Sequence, residues 1–373
     1  STVLSMGFTV LFSLLLALGM NTILKLMNVP KEIYTDAFWY IQIVVVGLVI
    51  VNAYNLLASI VRALGDSKTP LYFLIFASVL NIFLALLFIL KFNWGVPGSA
   101  VAVVLSQGVS ALLCIIYVKL KFPILHLKLS DWTYALKKES IPFAIEHLKV
   151  GIPMSVQFSI LGIGILIIQS VCNSFGPDVI AAFTAALRIE QIATMPMISF
   201  GVALAAYTAQ NFGAYNFSRI REGVNKGSVI NICLSIIMTL LIHFYGSNIV
   251  GIFIGKSETH IINIARSYLW ISTLFYFFLG QIFIFRNTLQ GMGEAFLPLV
   301  ASIAELLVRS FAAVYLAVKF GYYGIFYAGP IAWILASTIM ASGYYANLFK
   351  IVKKAHSNAR LQNKIKKDFN ISV

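Results

Sequence analysis

Long apolar runs, repeated along the whole chain, are the feature that most restricts what this sequence can fold into. A bilayer core about 30 Å thick requires about 20 apolar residues from each helix that spans it. Runs of that length recur here between short polar segments. Only 11% of the 373 residues are charged, against about a quarter in soluble domains. The chain is therefore predicted to be an all-α membrane protein that crosses the bilayer many times, and a water-soluble fold is excluded.

Apolar windows between helix breakers predict ten transmembrane spans. They cover residues 2–26, 37–61, 70–90, 96–118, 146–173, 178–206, 228–248, 263–285, 297–318 and 324–348. These windows lack the alternating polarity, over about ten residues, of transmembrane β-strands. A membrane-spanning barrel is therefore excluded as well.

The net charge of +14 is explained by the loops between the spans. Counted on alternate sides of the ten spans, 19 Lys and Arg residues lie on one side and 6 on the other, with Arg286 on the richer side. Basic loops stay in the cytoplasm, so the richer side and the C-terminus are predicted to be cytoplasmic. This distribution favours a multi-pass protein of the plasma membrane, such as a bacterial inner membrane, and not a protein that binds nucleic acid.

The chain contains an internal repeat, in which early spans match late ones. The repeat aligns Gly65 with Gly293 and Pro70 with Pro298, and the helix-to-loop segments around them, RALGDSKTP and LQGMGEAFLP, have the same form. The alignment shifts the chain by 228 residues, which is a shift of six spans. Because six is an even number, the two repeats cross the membrane in the same direction and are parallel. If the second repeat begins near residue 142, about 86 residues of the first repeat have no counterpart in this chain, and we expect two further helices before residue 1.

Four segments follow from the spans and the repeat. Residues 1–121 are the remainder of an N-terminal bundle with four helices, and residues 142–350 are a C-terminal bundle with six. Residues 122–141, which mix basic residues with Trp and Tyr, are predicted to be a linker at the cytoplasmic interface. Residues 351–373 form a basic cytoplasmic tail, in which we expect the last helix to fray.

Several short motifs, in order along nearly the whole chain, resemble the multidrug and toxin extrusion (MATE) family. They are RALGDSKTP at 62–70, LNIF at 80–83, GVPGSAVAVVLSQ at 95–107, VGIPMSVQFSI at 150–160, AALRIEQ at 185–191, AQNFGAYNFSRIREG at 209–223 and LQGMGEAFLP at 289–298. The resemblance implies a twelve-helix antiporter built from two six-helix bundles. It also implies export of amphipathic, often cationic compounds in exchange for H+ or Na+, with no other cofactor.

The ion sites implied by this resemblance are altered in the present sequence. In one branch of the family, four positions of the first bundle hold a cation, and here they carry Ala58, Asn81, Ala85 and Val103, of which Asn81 alone has a side-chain oxygen. A second branch uses two acids in the second bundle, and this chain has no carboxylate near the matching positions, Ser159 and Leu279. The resemblance thus supports export but does not identify the coupling ion.

Ionisable residues inside spans are costly, so each is a functional candidate. Glu305 and Arg309 have the i, i+4 spacing that places both on one helix face, either as a structural ion pair or as a carboxylate that responds to protons or substrate. Arg188, Glu190 and Gln191 are close together in one span. Arg188 and Glu190 cannot face each other on one helix, so each is expected to have a partner on another helix, or to contact substrate or ion.

Two uncharged residues complete the set of candidates. Gln157 is interpreted as a residue that forms hydrogen bonds between helices, in preference to a substrate contact. Asn81 is interpreted as a packing residue that forms a hydrogen bond. The sequence contains no motif for nucleotide binding, metal ligation or a catalytic nucleophile, so no enzyme and no metal site are predicted. We expect the protein to be a monomer whose partners are an amphipathic small molecule and membrane lipid. The alternatives to an exporter are a flippase for lipid-linked precursors and a non-transporting membrane protein.

Overall fold

The computed structural model describes residues 2–26, 31–125, 137–255 and 257–368, and within these ranges regular structure is helical, with no β-strand. The α-helices of the described residues, in chain order, are α1 (Thr2–Leu26), α2 (Lys31–Ala63), α3 (Lys68–Leu86), α4 (Gly95–Lys121), α5 (Ile141–Asn173), α6 (Pro177–Gly213), α7 (Phe217–Ile254), α8 (Thr259–Leu274), α9 (Tyr276–Gly291), α10 (Phe296–Phe320), α11 (Tyr322–Ile325) and α12 (Ala328–Asp368). A π-helical turn, Leu87–Lys91, extends α3. The predicted interfacial linker falls largely on residues 126–136, outside the described residues.

The prediction of ten spans is confirmed for the described part of the chain. Nine helical segments are long and apolar enough to cross a membrane, and α8 with α9 forms a tenth as a bent pair. The last of the nine, Tyr322–Ile351, includes α11 and the first part of α12. The chain is a multi-pass membrane protein.

The eighth span, predicted over 263–285, is not one continuous helix. It consists of α8 and α9, which meet at Phe275 with a bend of 53°. At the end of α8 the hydroxyl of Thr239 in α7 donates a hydrogen bond to the carbonyl oxygen of Thr273 (2.9 Å), which gives a polar partner to a group near the break. The sequence immediately around the bend lacks Pro and Gly, so a search for helix breakers could not find it. The span also continues to Gly291, which corrects the assignment of Arg286 to a loop.

The C-terminal tail differs from the expectation of fraying. Helix α12 continues without a break from Ala328 to Asp368, so the tail is helical over residues 351–368. The last span and the basic segment that follows it therefore belong to one helix.

The chain divides into two units, Ser1–His147 and Leu148–Val373, a boundary close to the predicted start of the second bundle. In the first unit α4 packs against both α2 and α3. At Gly47 of α2 an added Cβ would overlap a methyl carbon of Val104, so glycine allows α2 and α4 to pack closely. The hydroxyl of Tyr54 donates to the carbonyl oxygen of Pro70 (2.9 Å) and ties α2 to α3.

In the second unit α6 packs against α7, α8 and α9, and α10 packs against α12. The interior holds large side chains with almost no exposed surface, among them Met197, Tyr276, Leu289, Phe326 and Tyr344. At Gly291 an added Cβ would lie 2.6 Å from the carbonyl oxygen of Ala205, so α9 and α6 touch through their backbones near the end of α9. This packing positions the polar side chains described below.

The internal repeat is visible in the backbone of two matching turns. Gly65 and Gly293 both have a positive φ, 98° and 82° respectively. Glycine adopts this conformation without strain. After each glycine an acid caps the next helix: Asp66 accepts hydrogen bonds from the backbone N–H groups of residues 68 and 69, and Glu294 accepts them from residues 296 and 297, all at 3.0 to 3.2 Å. The match between the repeats therefore extends from residue identities to hydrogen bonds.

Candidate functional site

Glu305 and Arg309 form a buried ion pair on α10. The guanidinium Nη2 of Arg309 donates to Oε1 of Glu305, as the i, i+4 spacing predicts. Glu305 is only 4% exposed, and Nε of Arg309 is buried without a partner among the described residues. Within the described part of the chain, Arg309 is the one ion-pair partner of Glu305.

A small cavity of about 10 Å³ adjoins this ion pair, between α5 and α10. It is lined by Ile160, Leu161, Gly164, Ser302, Glu305, Leu306 and Arg309. Gly164 leaves room for α10, since an added Cβ would lie 3.3 Å from Leu306 and 4.0 Å from the side chain of Arg309. A volume of this size is close to the minimum for one water molecule.

Glu190 on α6 has a partner on another helix, as predicted, but that partner is neutral. The hydroxyl of Tyr268 on α8 donates to Oε2 of Glu190 (2.9 Å), and the ring of Tyr268 packs edge-on against Phe183 and Phe326. Glu190 also lies close enough to Arg309 for an electrostatic interaction. Of these two acids inside the second unit, Glu305 is in direct contact with a cation and Glu190 is not.

Arg188 and Gln191, the neighbours of Glu190, point away from this cluster. Both side chains are exposed on the second unit, and the structure gives Arg188 no ion pair with any described acid. The predicted separation of Arg188 from Glu190 is confirmed, whereas an interhelical partner for Arg188 is not found among the described residues. The sequence places these residues side by side, and the helical rotation separates them.

Gln157 is the centre of a hydrogen-bond chain that joins three helices. Its Nε2 donates to the hydroxyl of Ser302 on α10 (2.9 Å) and to the carbonyl oxygen of Pro298 (3.4 Å), and its Oε1 accepts from Nε2 of Gln290 on α9 (2.9 Å). Gln157 is 2% exposed and Ser302 is 1% exposed. These bonds agree with the interpretation that Gln157 connects helices by hydrogen bonds. Ser302, a member of this hydrogen-bond chain, lies one turn of α10 before Glu305.

Arg286 is a charged residue that the sequence reasoning placed in a loop. It lies inside α9, five residues before the helix ends, is partly buried, and lies over the ring of Phe283 (5.1 Å to the ring centre). Glu305 is near enough to influence it electrostatically, but no described acid forms an ion pair with it. If the eighth span is extended to the turn at Gly291 and Gly293, the sequence places Arg286 inside a helix.

In the first unit the positions implied by the family resemblance are almost without polar groups. Ala58 is fully buried, and Nδ2 of Asn81 is buried with no partner among the described residues. Val103 and Ala85 contribute apolar side chains. These four side chains supply a single amide oxygen, which is too few for a cation that prefers several oxygen ligands.

The fold is that of a helical membrane protein with many spans, in which the second unit buries a few charged side chains. The family model described as MatE matches residues 1–87 and 153–316, and the chain belongs to this family of multidrug and toxin extrusion transporters. Two Bacillus subtilis relatives are named probable multidrug resistance proteins: YpnP is 32% identical over 77% of this chain, and YoeA is 27% identical over 88%. The chain spans 62% of the length of YpnP and 71% of the length of YoeA.

Solved structures have the same fold. A crystal structure of a MATE protein in a bent conformation superposes with a TM-score of 0.85 at 21% identity, covering 95% of this chain and 78% of that one. An outward-facing multidrug resistance MATE transporter superposes with a TM-score of 0.84 at 22% identity, covering 93% of this chain and 77% of that one. At these identities the likeness concerns the fold.

Proposed function

We propose that the protein exports amphipathic organic compounds, cationic ones among them, in exchange for H+ or Na+. Membership of the MatE family and the multidrug resistance names of its relatives support export. In this proposal the two bundles give access to each side of the membrane in turn, which is how transporters with internal repeats work. The protein is proposed to act as a monomer, without an enzymatic reaction and with the coupling ion as its only cofactor.

The observation that carries the proposal is the buried pair of Glu305 and Arg309. Coupling requires a group that alternates between two states during the cycle. The carboxylate of Glu305 holds the guanidinium of Arg309 by an ion pair, so in this proposal a proton or a competing cation that takes the carboxylate would release Arg309. Glu190 lies within electrostatic reach of the same arginine and supplies a second acid for this exchange.

The test compares Glu305→Gln with the double variant Glu305→Gln, Arg309→Gln. The single variant leaves Arg309 without its partner and is expected to lose both thermal stability in detergent and gradient-driven dye efflux. The double variant removes both charges, so we expect it to regain stability and to remain inactive. Glu222→Gln, which breaks an exposed pair with Lys226 on α7, is the matched control and should transport normally. A double variant that transports at the native rate would contradict the coupling role.

A flippase for lipid-linked precursors is the second candidate, and one observation favours it. Arg286 adds a further arginine inside a described span to Arg188 and Arg309, and pyrophosphate groups bind clustered basic residues. These arginines do not converge, because Arg309 is paired with Glu305 and Arg188 is exposed. Export is therefore the better supported function. Translocation of a fluorescent lipid pyrophosphate by the protein in proteoliposomes would instead favour the flippase.

The orientation in the plasma membrane is proposed from the basic loops. The loops near Ser67, Ser140, Tyr215 and Met292 are on the side that carries most Lys and Arg, which is cytoplasmic by the positive-inside rule. Single cysteines at these positions should resist an impermeant thiol reagent applied to intact cells and react after the cells are opened. Labelling from outside would contradict the orientation and the cytoplasmic C-terminus.

A further inference from the structure

One face of α9 combines aromatic, cationic and amide side chains. Phe283, Arg286, Asn287 and Gln290 follow the i, i+3, i+4, i+7 spacing of a single helix face. All four are partly exposed. The residues between them, Ile284, Phe285, Thr288 and Leu289, are buried. We call the four partly exposed side chains the α9 stripe.

The α9 stripe is held between two neighbouring helices. On one side α6 approaches at Gly201, where an added Cβ would lie 2.8 Å from Nδ2 of Asn287 and 3.0 Å from the carbonyl oxygen of Phe283. On the other side Gln157 of α5 accepts the hydrogen bond from Gln290. These contacts fix the backbone and the ends of the stripe, so Arg286 is presented from a rigid position.

Arg286 is the member of the stripe whose bonding capacity is unused. A guanidinium offers five N–H donors, and the structure gives this one no hydrogen bond or ion pair to a described residue. The acid that influences it, Glu305, is in contact with Arg309, and Glu190 is bound by Tyr268. A partly buried arginine is costly without a partner, whereas a carboxylate or phosphate fits its planar donors with two parallel bonds.

We propose that Arg286 binds the anionic group of an amphipathic ligand whose apolar or aromatic body lies along Phe283. The ligand class is an organic carboxylate or phosphate, zwitterions included, which refines the broader class of amphipathic compounds. This inference rests on the proposed export function for its biological meaning. The binding itself is independent of any ion gradient, so it is tested separately.

The experiment uses two dyes that differ in one group. Rhodamine B carries a free carboxylate, and its ethyl ester has the same cationic ring system with the carboxylate blocked. Fluorescence polarisation with the purified full chain in detergent should give about tenfold tighter binding of rhodamine B, the gain typical of one charge-assisted contact. Equal affinity of the native protein for the two dyes overturns the proposal without the need for any variant.

Variants assign the preference to the residue. Arg286→Gln should bind both dyes with equal affinity, and Arg286→Lys should keep part of the preference, because it retains the charge but loses the planar donor pair. Arg221→Gln, at an exposed arginine of α7, is the matched control and should keep the full preference. Retention of the tenfold ratio in a folded Arg286→Gln protein, as judged by its thermal transition, overturns the assignment.

A competition arm distinguishes an exported compound from a lipid headgroup. Competition by phosphatidylglycerol, but not by phosphatidylcholine, that disappears in Arg286→Gln supports the site and identifies a lipid phosphate as its occupant. Without such competition, the dye preference supports the site with an organic anion as its occupant. Dye efflux from proteoliposomes is measured in parallel, so loss of transport with intact carboxylate preference contradicts the export proposal alone.

Discussion

The two units of this protein match in their turns and differ in their interiors. In the repeat alignment that pairs Gly65 with Gly293, Ala77 corresponds to Glu305 and Asn81 to Arg309. The turns keep a positive φ and a capping acid, whereas the matching helix positions are neutral in the first unit and charged in the second. The two units therefore share the backbone geometry of these turns, and they differ in charge at the two matched helix positions.

The same contrast holds for Ala58, which is fully buried in the first unit and corresponds to Arg286 in the second. Two of the positions that the family resemblance assigns to a cation in the first bundle thus carry arginines in the second. At these two positions the second unit carries charged side chains, whereas the first carries Ala58 and Asn81.

The largest effect is expected from removing one charge of the buried pair. Arg309→Met leaves Glu305 buried without a cation and should lower the free energy of unfolding by about 3–5 kcal/mol. The matching position of the first unit is Asn81, whose Nδ2 has no described partner. Asn81→Leu should change the free energy of unfolding by less than about 1 kcal/mol. Thermal unfolding in detergent measures both, and equal losses would end the distinction between the units.

A smaller loss of unfolding free energy is expected from removing a buried amide that forms hydrogen bonds. Gln157→Leu removes the hydrogen bonds to Ser302 and Gln290. It should cost about 1–3 kcal/mol, since buried partners are left unsatisfied. Gln107→Leu in the first unit, where Oε1 of Gln107 has no described partner, should cost less. The same unfolding assay applies, and a larger loss for Gln107→Leu would contradict the polar network as a feature of the second unit.

The two matching glycine turns should respond alike. Gly65→Ala and Gly293→Ala each place a side chain at positive φ. Each should destabilise the protein by about 1–2 kcal/mol. The control is Gly162→Ala within α5, where no neighbouring atom lies within 4 Å of the new Cβ, and it should be neutral or slightly stabilising. A clear difference between the two losses of stability would contradict the structural equivalence of the two turns.

The smallest effect concerns acid stability at the first turn. The hydroxyl of Tyr117 donates to Asp66 (2.6 Å) and, with the Thr69 N–H, lowers the pKa of Asp66 from 3.8 to about 2. A group with a lowered pKa in the folded protein stabilises it above the unfolded value. This contribution is lost as the pH falls from 3.8 to about 2.

Tyr117→Phe removes the main cause of this shift, so the contribution of Asp66 should be smaller and should already be lost at higher pH. The unfolding midpoint, followed on acidification from mildly acidic buffer through the pKa of Asp66, measures the change. Tyr345 corresponds to Tyr117 in the repeat, and the structure gives it no hydrogen bond to Glu294, so Tyr345→Phe should leave the acid profile unchanged. A shift in the control and none in Tyr117→Phe would contradict the assignment.

Local patterns were sufficient to predict the helical spans and the pair of Glu305 and Arg309, because hydropathy windows and i, i+4 spacing act within one helix. The partners of Glu190 and Gln157 could not be predicted, since Tyr268 is 78 residues from Glu190 and Ser302 is 145 residues from Gln157. Such contacts depend on how helices pack. Arg286 was misplaced because the apolar window ended one residue before it, and the bend at Phe275 has no breaker residue.

The bend at Phe275 also provides a scale of depth within the membrane. Helices α8 and α9 have 16 residues each. Each is therefore about 24 Å long, so neither crosses a core of about 30 Å alone, and in a span made of both helices we expect their junction near the bilayer centre. Arg286, eleven residues beyond Phe275, is then about 16 Å from that centre, at the level of the lipid headgroups. In the proposed complex, a ligand with its charge at Arg286 would therefore have its apolar body beside Phe283 at the depth of the acyl chains, and its charged group at the level of the headgroups.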